Sequence, residues 1–162
     1  PHATASGPMA EVVFGSTQYL SETDLNAMAT YLKALPQTRP VKNEVAGVQD
    51  ELRRERGAQL YADQCADCHG ERGEGRSGVW PALAGNRAVT MAPPANAIRT
   101  VLGGGYAPAT RGNPRPYGMP PFAAALNDDD IAMVVSHIRG SWGNGASPVS
   151  SVDVQRLRGN LR

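Results

Sequence analysis

Aromatic side chains are scarce in this 162-residue chain, with two Phe, five Tyr and two Trp set against 18 glycines and 13 prolines. So few large rings among so many chain-breakers make a poor core of protein alone. The composition points either to a loop-rich, partly disordered chain or to a fold whose interior holds something besides side chains. Charge bias is missing as well. The 16 Lys and Arg stand against 15 Asp and Glu with no long run of either sign, which excludes the basic footprint of a nucleic-acid binder. No stretch approaches the ~20 consecutive apolar residues of a membrane-spanning helix. No basic segment followed by an apolar one opens the chain in the manner of an export signal. The length fits one domain of ordinary size with part of another attached, and not two large domains.

Cysteine is nearly absent too, and its two occurrences direct the interpretation. Cys65 and Cys68 are followed directly by His69, and Cys-x-x-Cys-His is the attachment pattern of a c-type haem. The spacing has a chemical reason: two thiols add to the two vinyl groups of one haem as thioethers, and the adjoining imidazole becomes the proximal iron ligand. A zinc site would need further thiolates or imidazoles, but no third Cys exists, and His2 and His137 lie far off in sequence. A thioredoxin-like dithiol wants a strand before the motif and a helix after it, whereas here a helical pattern precedes it and a glycine-rich loop follows. One haem c is therefore the expected cofactor, and a distal ligand should follow later in the chain. Met119, in Gly118-Met119-Pro120-Pro121-Phe122, is the candidate, since the glycine lets the backbone approach the ring and the prolines stiffen the loop. Met91 lacks such a setting, and Met133 falls in a helical repeat where it is expected to turn from the core.

Helical spacing surrounds the motif. Leu52 to Cys65 reads as a helix with Gly57, Tyr61 and Cys65 on one face. Asn127 can cap a second helix whose first turn carries Asp128, Asp129 and Asp130 and whose apolar face is Ile131, Val134, Val135, Ile138 and Trp142. Gly57 would let these two helices approach and cross. Asn96 to Leu102 reads as a short helix stopped by Gly103-Gly104-Gly105, and no strands are expected. The glycine clusters are loops and not phosphate cradles, since no strand precedes them and no Gly-Lys-Ser/Thr follows.

The motif, Gly57 with Tyr61, the run Trp80-Pro81-Ala82-Leu83-Ala84-Gly85-Asn86, Tyr106 to Thr110, Pro116 to Phe122, and Ile138-Arg139 together carry a resemblance. From Glu51 to Asn144 the chain resembles an all-α class I cytochrome c domain, a few short helices wrapped around one covalent haem. It is similar in particular to the last domain of the three-haem cytochrome c subunits of membrane-bound alcohol dehydrogenases and related flavin-dependent sugar dehydrogenases. The resemblance implies that the Pro81 carbonyl accepts the His69 Nδ1 proton and that Leu83 lies against the ring. It also implies that Trp80, Arg111 or Arg115 faces the haem propionates, with ordinary solvated arginines as the alternative. His137 departs from the family, whose members commonly have Tyr there; packing or surface is its expected role.

An internal repeat precedes this domain. Ser21 to Lys33 laid over Asn127 to Arg139, a constant offset of 106 residues, matches cap, acidic first turn and apolar positions. A glycine-methionine segment ending in Phe stands ahead of each, Gly7-Pro8-Met9 through Phe14 and Gly118-Met119 through Phe122. Residues 1–35 thus read as the end of a preceding cytochrome domain without its haem motif, the alternative being a plain N-terminal arm with one amphipathic helix. Residues 36–50 read as a linker, 51–144 as the cytochrome domain and 145–162 as a polar tail. Leu25, Met28, Leu32 and Leu35 form an apolar stripe expected to be buried against the haem domain or a second copy, which would make a dimer.

The expected function is one-electron transfer by a haem with His69 and Met119 as ligands, the thioether raising the potential. Its expected partners are a dehydrogenase subunit, other cytochrome domains, and quinone or an oxidase. The expected compartment is the periplasm, with membrane association of a full-length subunit. Two alternatives stay open: a peroxidase-like or ligand-binding haem with a labile distal Met, and a passive docking piece with no reversible redox step.

Overall fold

The computed structural model describes residues 4, 5, 7–36 and 51–160. The expected linker, Pro36 apart, lies outside the described residues, as does His2. Two helices frame the body. Helix α3, Glu51–Gln64, buries Gly57, Leu60 and Tyr61, and α7, Asp128–Gly140, buries seven of its residues against it and its neighbours. The start of α7 is as its sequence dictates: the Asn127 side chain accepts from the Asp130 amide at 2.8 Å, and three aspartates stand in the first turn where the helix dipole favours them. Where α3 and α7 cross, a Cβ on Gly57 would lie 2.5 Å from the Met133 carbonyl oxygen and 3.1 Å from the His137 Cβ. Gly57→Ala is accordingly expected to lower the stability of the holoprotein by about 1–3 kcal/mol, the cost of overpacking a tight contact, read as a lower denaturant midpoint.

Between these helices lie α4, Ala66–His69, α5, Arg87–Thr90, and α6, Ala95–Gly103. Ile98 and Leu102 of α6 meet Ile131, Val134 and Val135 of α7 in the fully buried core. Arg139 is buried as well and stitches three segments together. Its Nη1 donates to the Val89 and Met91 carbonyls at 2.5 and 2.9 Å, and its Nε to that of Ser147 at 3.0 Å.

The structure differs from the sequence expectations in several places. Gly105–Tyr106 and Gly118–Met119 pair as a two-residue antiparallel ribbon, β1 and β2, too short and too rich in glycine to leave an alternating pattern. Helix α7 ends at Gly140, so Trp142 does not extend its apolar face. It has φ 53°, a conformation rare for a bulky residue, and its ring turns back to lie 4.9 Å from Tyr61 and 5.4 Å from His137. Met133 packs against the core instead of away from it. The expected polar tail contains a helix, α8, Ser151–Arg158, with a reciprocal Ser150/Asp153 capping box and with Val154 fully buried. Its few apolar residues gave little periodicity, although Ser-x-x-Asp was a legible start signal.

His137 is half-buried, its ring 5.5 Å from that of Tyr61 and 5.4 Å from that of Trp142. Burial pushes its pKa below the ordinary value. As pH falls past about 6.5 the unfolded chain takes up this proton before the folded one. His137 thus favours folding fully above that range and progressively less as pH drops toward the lowered folded value. Denaturant unfolding at a series of pH values should show this decline, and a smaller one in His137→Tyr.

The N-terminal arm consists of α1, Pro8–Gly15, a single turn at Thr17–Tyr19, and α2, Glu22–Ala34. Burial of its stripe against the body does not occur: Leu25, Met28, Leu32 and Leu35 are 39, 47, 61 and 45% exposed. Hydrogen bonds from Gln18 to the Ala109 carbonyl and from Asn86 to Thr4 link the arm to the body.

Candidate haem site

Helix α3 delivers Cys65, whose amide still bonds back to the Tyr61 carbonyl at 2.9 Å. One turn later the Cys68 and His69 amides both return to the Cys65 carbonyl, at 3.2 and 2.9 Å. That single turn fixes two thiols and an imidazole close together. Both cysteines are free, Cys65 half-buried and Cys68 exposed. Burial, aided by the neighbouring Cys68, pushes the Cys65 thiol up to about 11, the opposite of the lowered values of redox-active dithiols. Among the described residues no group of three or more His, Cys, Asp and Glu can hold a metal ion. A raised Cys65 is unlike the reactive cysteine of a redox dithiol, and among the described residues no zinc cluster stands beside the pair.

His69 is only 8% exposed. Its Nδ1 stands 2.9 Å from the Pro81 carbonyl oxygen, which can only accept, so Nδ1 carries the proton and Nε2 keeps its lone pair. Burial lowers the His69 pKa, the Pro81 bond opposing it more weakly; the neutral, ligating form is favoured. The loop that supplies Pro81 is pinned from several sides. Tyr61 Oη donates to the Gly70 carbonyl at 2.5 Å, the Gly75 amide to that of His69 at 2.7 Å, and the Leu83 and Ala84 amides to that of Gly73 at 2.7 and 2.9 Å. Asn144 closes the loop onto α7, with Nδ2 donating to the Leu83 and Ile138 carbonyls and Oδ1 accepting from the Gly85 amide. Its role was not read from sequence, because nothing local marks partners some 60 positions away.

Met119 sits on β2 opposite Gly105. Gly104, at φ 67°, has its Cα so near the Met119 carbonyl that no Cβ would fit, which ties the end of α6 to the Met119 strand. Cys65, Leu83 and Met119 are each half-buried and border the same core. Met91 is 44% exposed and stands apart from it. Trp80 is half-buried with its ring 5.5 Å from Tyr117. Arg111 and Arg115 are exposed in the loop ahead of Met119. Free thiols, a buried neutral imidazole with one nitrogen already bonded, a thioether and an apolar Leu83 are a donor set and lining that fit a covalently attached haem.

The comparisons with known proteins agree. The Cytochrome c family matches residues 54–142. This chain belongs to the cytochrome c family. It is 38% identical to the cytochrome c subunit of the quinone alcohol dehydrogenase of Gluconobacter oxydans over 97% of this chain and 34% of that protein. The gluconate 2-dehydrogenase cytochrome c subunit of Pantoea cypripedii is likewise 38% identical over 97% of this chain and 38% of its own length. Thus the chain spans only about a third of the length of these relatives. Cytochrome c-552 of Thermus thermophilus is 34% identical over 63% of this chain and 83% of that protein. The family match and the Cys-x-x-Cys-His spacing are consistent with a single covalently bound haem c. No described helix is long and apolar enough to cross a membrane.

Proposed function

We propose that this cytochrome c chain is a one-electron carrier, with haem c attached through Cys65 and Cys68 and held by His69 and Met119. The observation that carries this reading is the buried His69 whose Nδ1 is committed to Pro81 while two free thiols share its helical turn. When bound, the haem supplies the Fe(III)/Fe(II) couple. His69 contributes Nε2 in a fixed orientation, Pro81 holds its tautomer, and Leu83 keeps water from the ring. Met119 would hold the iron through its thioether, which would leave no open place for peroxide or a gas and would raise the potential. Trp80, Arg111 and Arg115 are proposed to face the propionates. By likeness to the subunits named above, the carrier serves a dehydrogenase on the periplasmic side of the membrane and passes electrons toward quinone or another cytochrome. A potentiometric titration of the holoprotein, followed optically, tests it: one reversible one-electron step supports the carrier. Rapid carbon monoxide binding by the reduced protein would favour the ligand-binding alternative, and no reversible step the passive one.

We further propose that residues 1–35 end a preceding cytochrome domain, with Pro36 to Asp50 as linker. Helices α2 and α7 have the same length of 13 residues, and the side chain of each cap, Ser21 and Asn127, accepts from the amide of an aspartate three residues on. Likeness to the longer subunits also runs through 97% of the chain, against 63% for cytochrome c-552. A haem count above one on the natural polypeptide supports this. A count of one, with α2 at the interface of a dimer, would favour the arm with a second copy.

A further inference from the structure

Residues 143–160 lie beyond the segment matched by the cytochrome c family, yet they are stitched closely to it. Ser136 Oγ accepts from the Val149 amide at 2.7 Å, Val154 is fully buried, and α8 packs against both α6 and α7. At the end of α8, Arg158 reaches the segment that follows Met119. Its Nε donates to Asp128 Oδ1 at 2.6 Å, its Nη2 to the Leu126 carbonyl at 2.8 Å, and its Nη1 to the Ala123 carbonyl.

The chain around Met119 has a hold on each side. On the N-terminal side is the β1–β2 pair. On the C-terminal side Pro120 and Pro121 have no N–H to give, so the first backbone bonds are from Phe122 to Val101 and from Ala123 to Leu102, at 3.0 and 3.2 Å. The next turn, Phe122 to Leu126, is the one whose carbonyls Arg158 grips, while its bond to Asp128 fixes that turn to the start of α7. Charge-assisted bonds of a planar guanidinium are the stronger and more directional kind.

We propose that Arg158 is a positioning residue for Met119, and that the C-terminal helix beyond the family's common segment is a clamp that keeps the thioether on the iron. The proposal rests on Met119 being the distal ligand. Without Arg158 the turn after the two prolines loosens, and the Met119 sulfur leaves its position more often without the domain unfolding.

The test compares holoproteins of wild type, Arg158→Gln and the milder Arg158→Lys, well below their melting temperatures. The rate of carbon monoxide capture by the reduced protein should rise on the order of tenfold in Arg158→Gln, the factor expected for losing a charge-assisted hydrogen bond. The near-infrared methionine-to-iron band of the oxidised protein should vanish at a lower pH, with Arg158→Lys intermediate. Capture at the wild-type rate with the band retained to the wild-type pH, and only the melting temperature lowered, would overturn the proposal. If Arg158→Gln does not fold, the same two readouts on Arg158→Lys decide in the same way. A wild-type protein with no methionine band fails differently, since that removes the ligand assignment itself.

Discussion

Met119→Ala is expected to abolish the near-infrared methionine band, convert the oxidised haem to a form with water or no ligand on the distal side, and open the reduced protein to carbon monoxide. The reduction potential should fall by a sizeable part of the ~0.8 V range that axial ligands command, because the thioether favours the reduced iron and water does not. The geometry makes this position hard to replace. Gly104 leaves no room for a side chain beside the Met119 carbonyl, and the β1–β2 pair fixes the strand, whereas Met91 is exposed beyond α5 and Met133 lies on α7 at the α3 crossing. Optical spectra and a potentiometric titration of the variant read all of these effects at once.

The second large effect concerns attachment. Replacing both Cys65 and Cys68 by serine should abolish covalent haem altogether, seen as loss of haem staining on a denaturing gel, while either single replacement leaves one thioether. Burial, which raises Cys65 to about 11, disfavours its thiolate and so a redox role for that thiol. Holoprotein that carries covalent haem should also resist thiol alkylation at both positions, and alkylation at either would argue against two thioethers.

The parts of this molecule that were legible in sequence are those whose cause is local. Cys65, Cys68 and His69 lie within one helical turn, and Asn127 with three aspartates announces α7 within four residues. Gly57 was legible for a different reason, since a glycine inside an otherwise regular helix face wants a close neighbour, and the Met133 carbonyl is that neighbour. The parts that were not legible depend on distant partners. Trp142 continues the apolar spacing of α7, but its ring is needed beside Tyr61 and His137, and the backbone turns to φ 53° to bring it there. The β1–β2 ribbon is made by closing a loop and leaves no periodicity. Helix α8 hides among polar residues because Val154 alone is fully buried there. The apolar stripe on α2 can be read in sequence, but sequence does not say whether the body covers it, and it does not.

The most direct test of the His69/Met119 carrier is the proton NMR spectrum of the reduced holoprotein. A methionine held against the iron lies over the haem ring, whose current shifts its methyl far upfield. One such methyl is expected, missing in Met119→Ala and present when Met91 or Met133 is replaced. A spectrum without an upfield methionine methyl, or one whose methyl survives Met119→Ala, would contradict it.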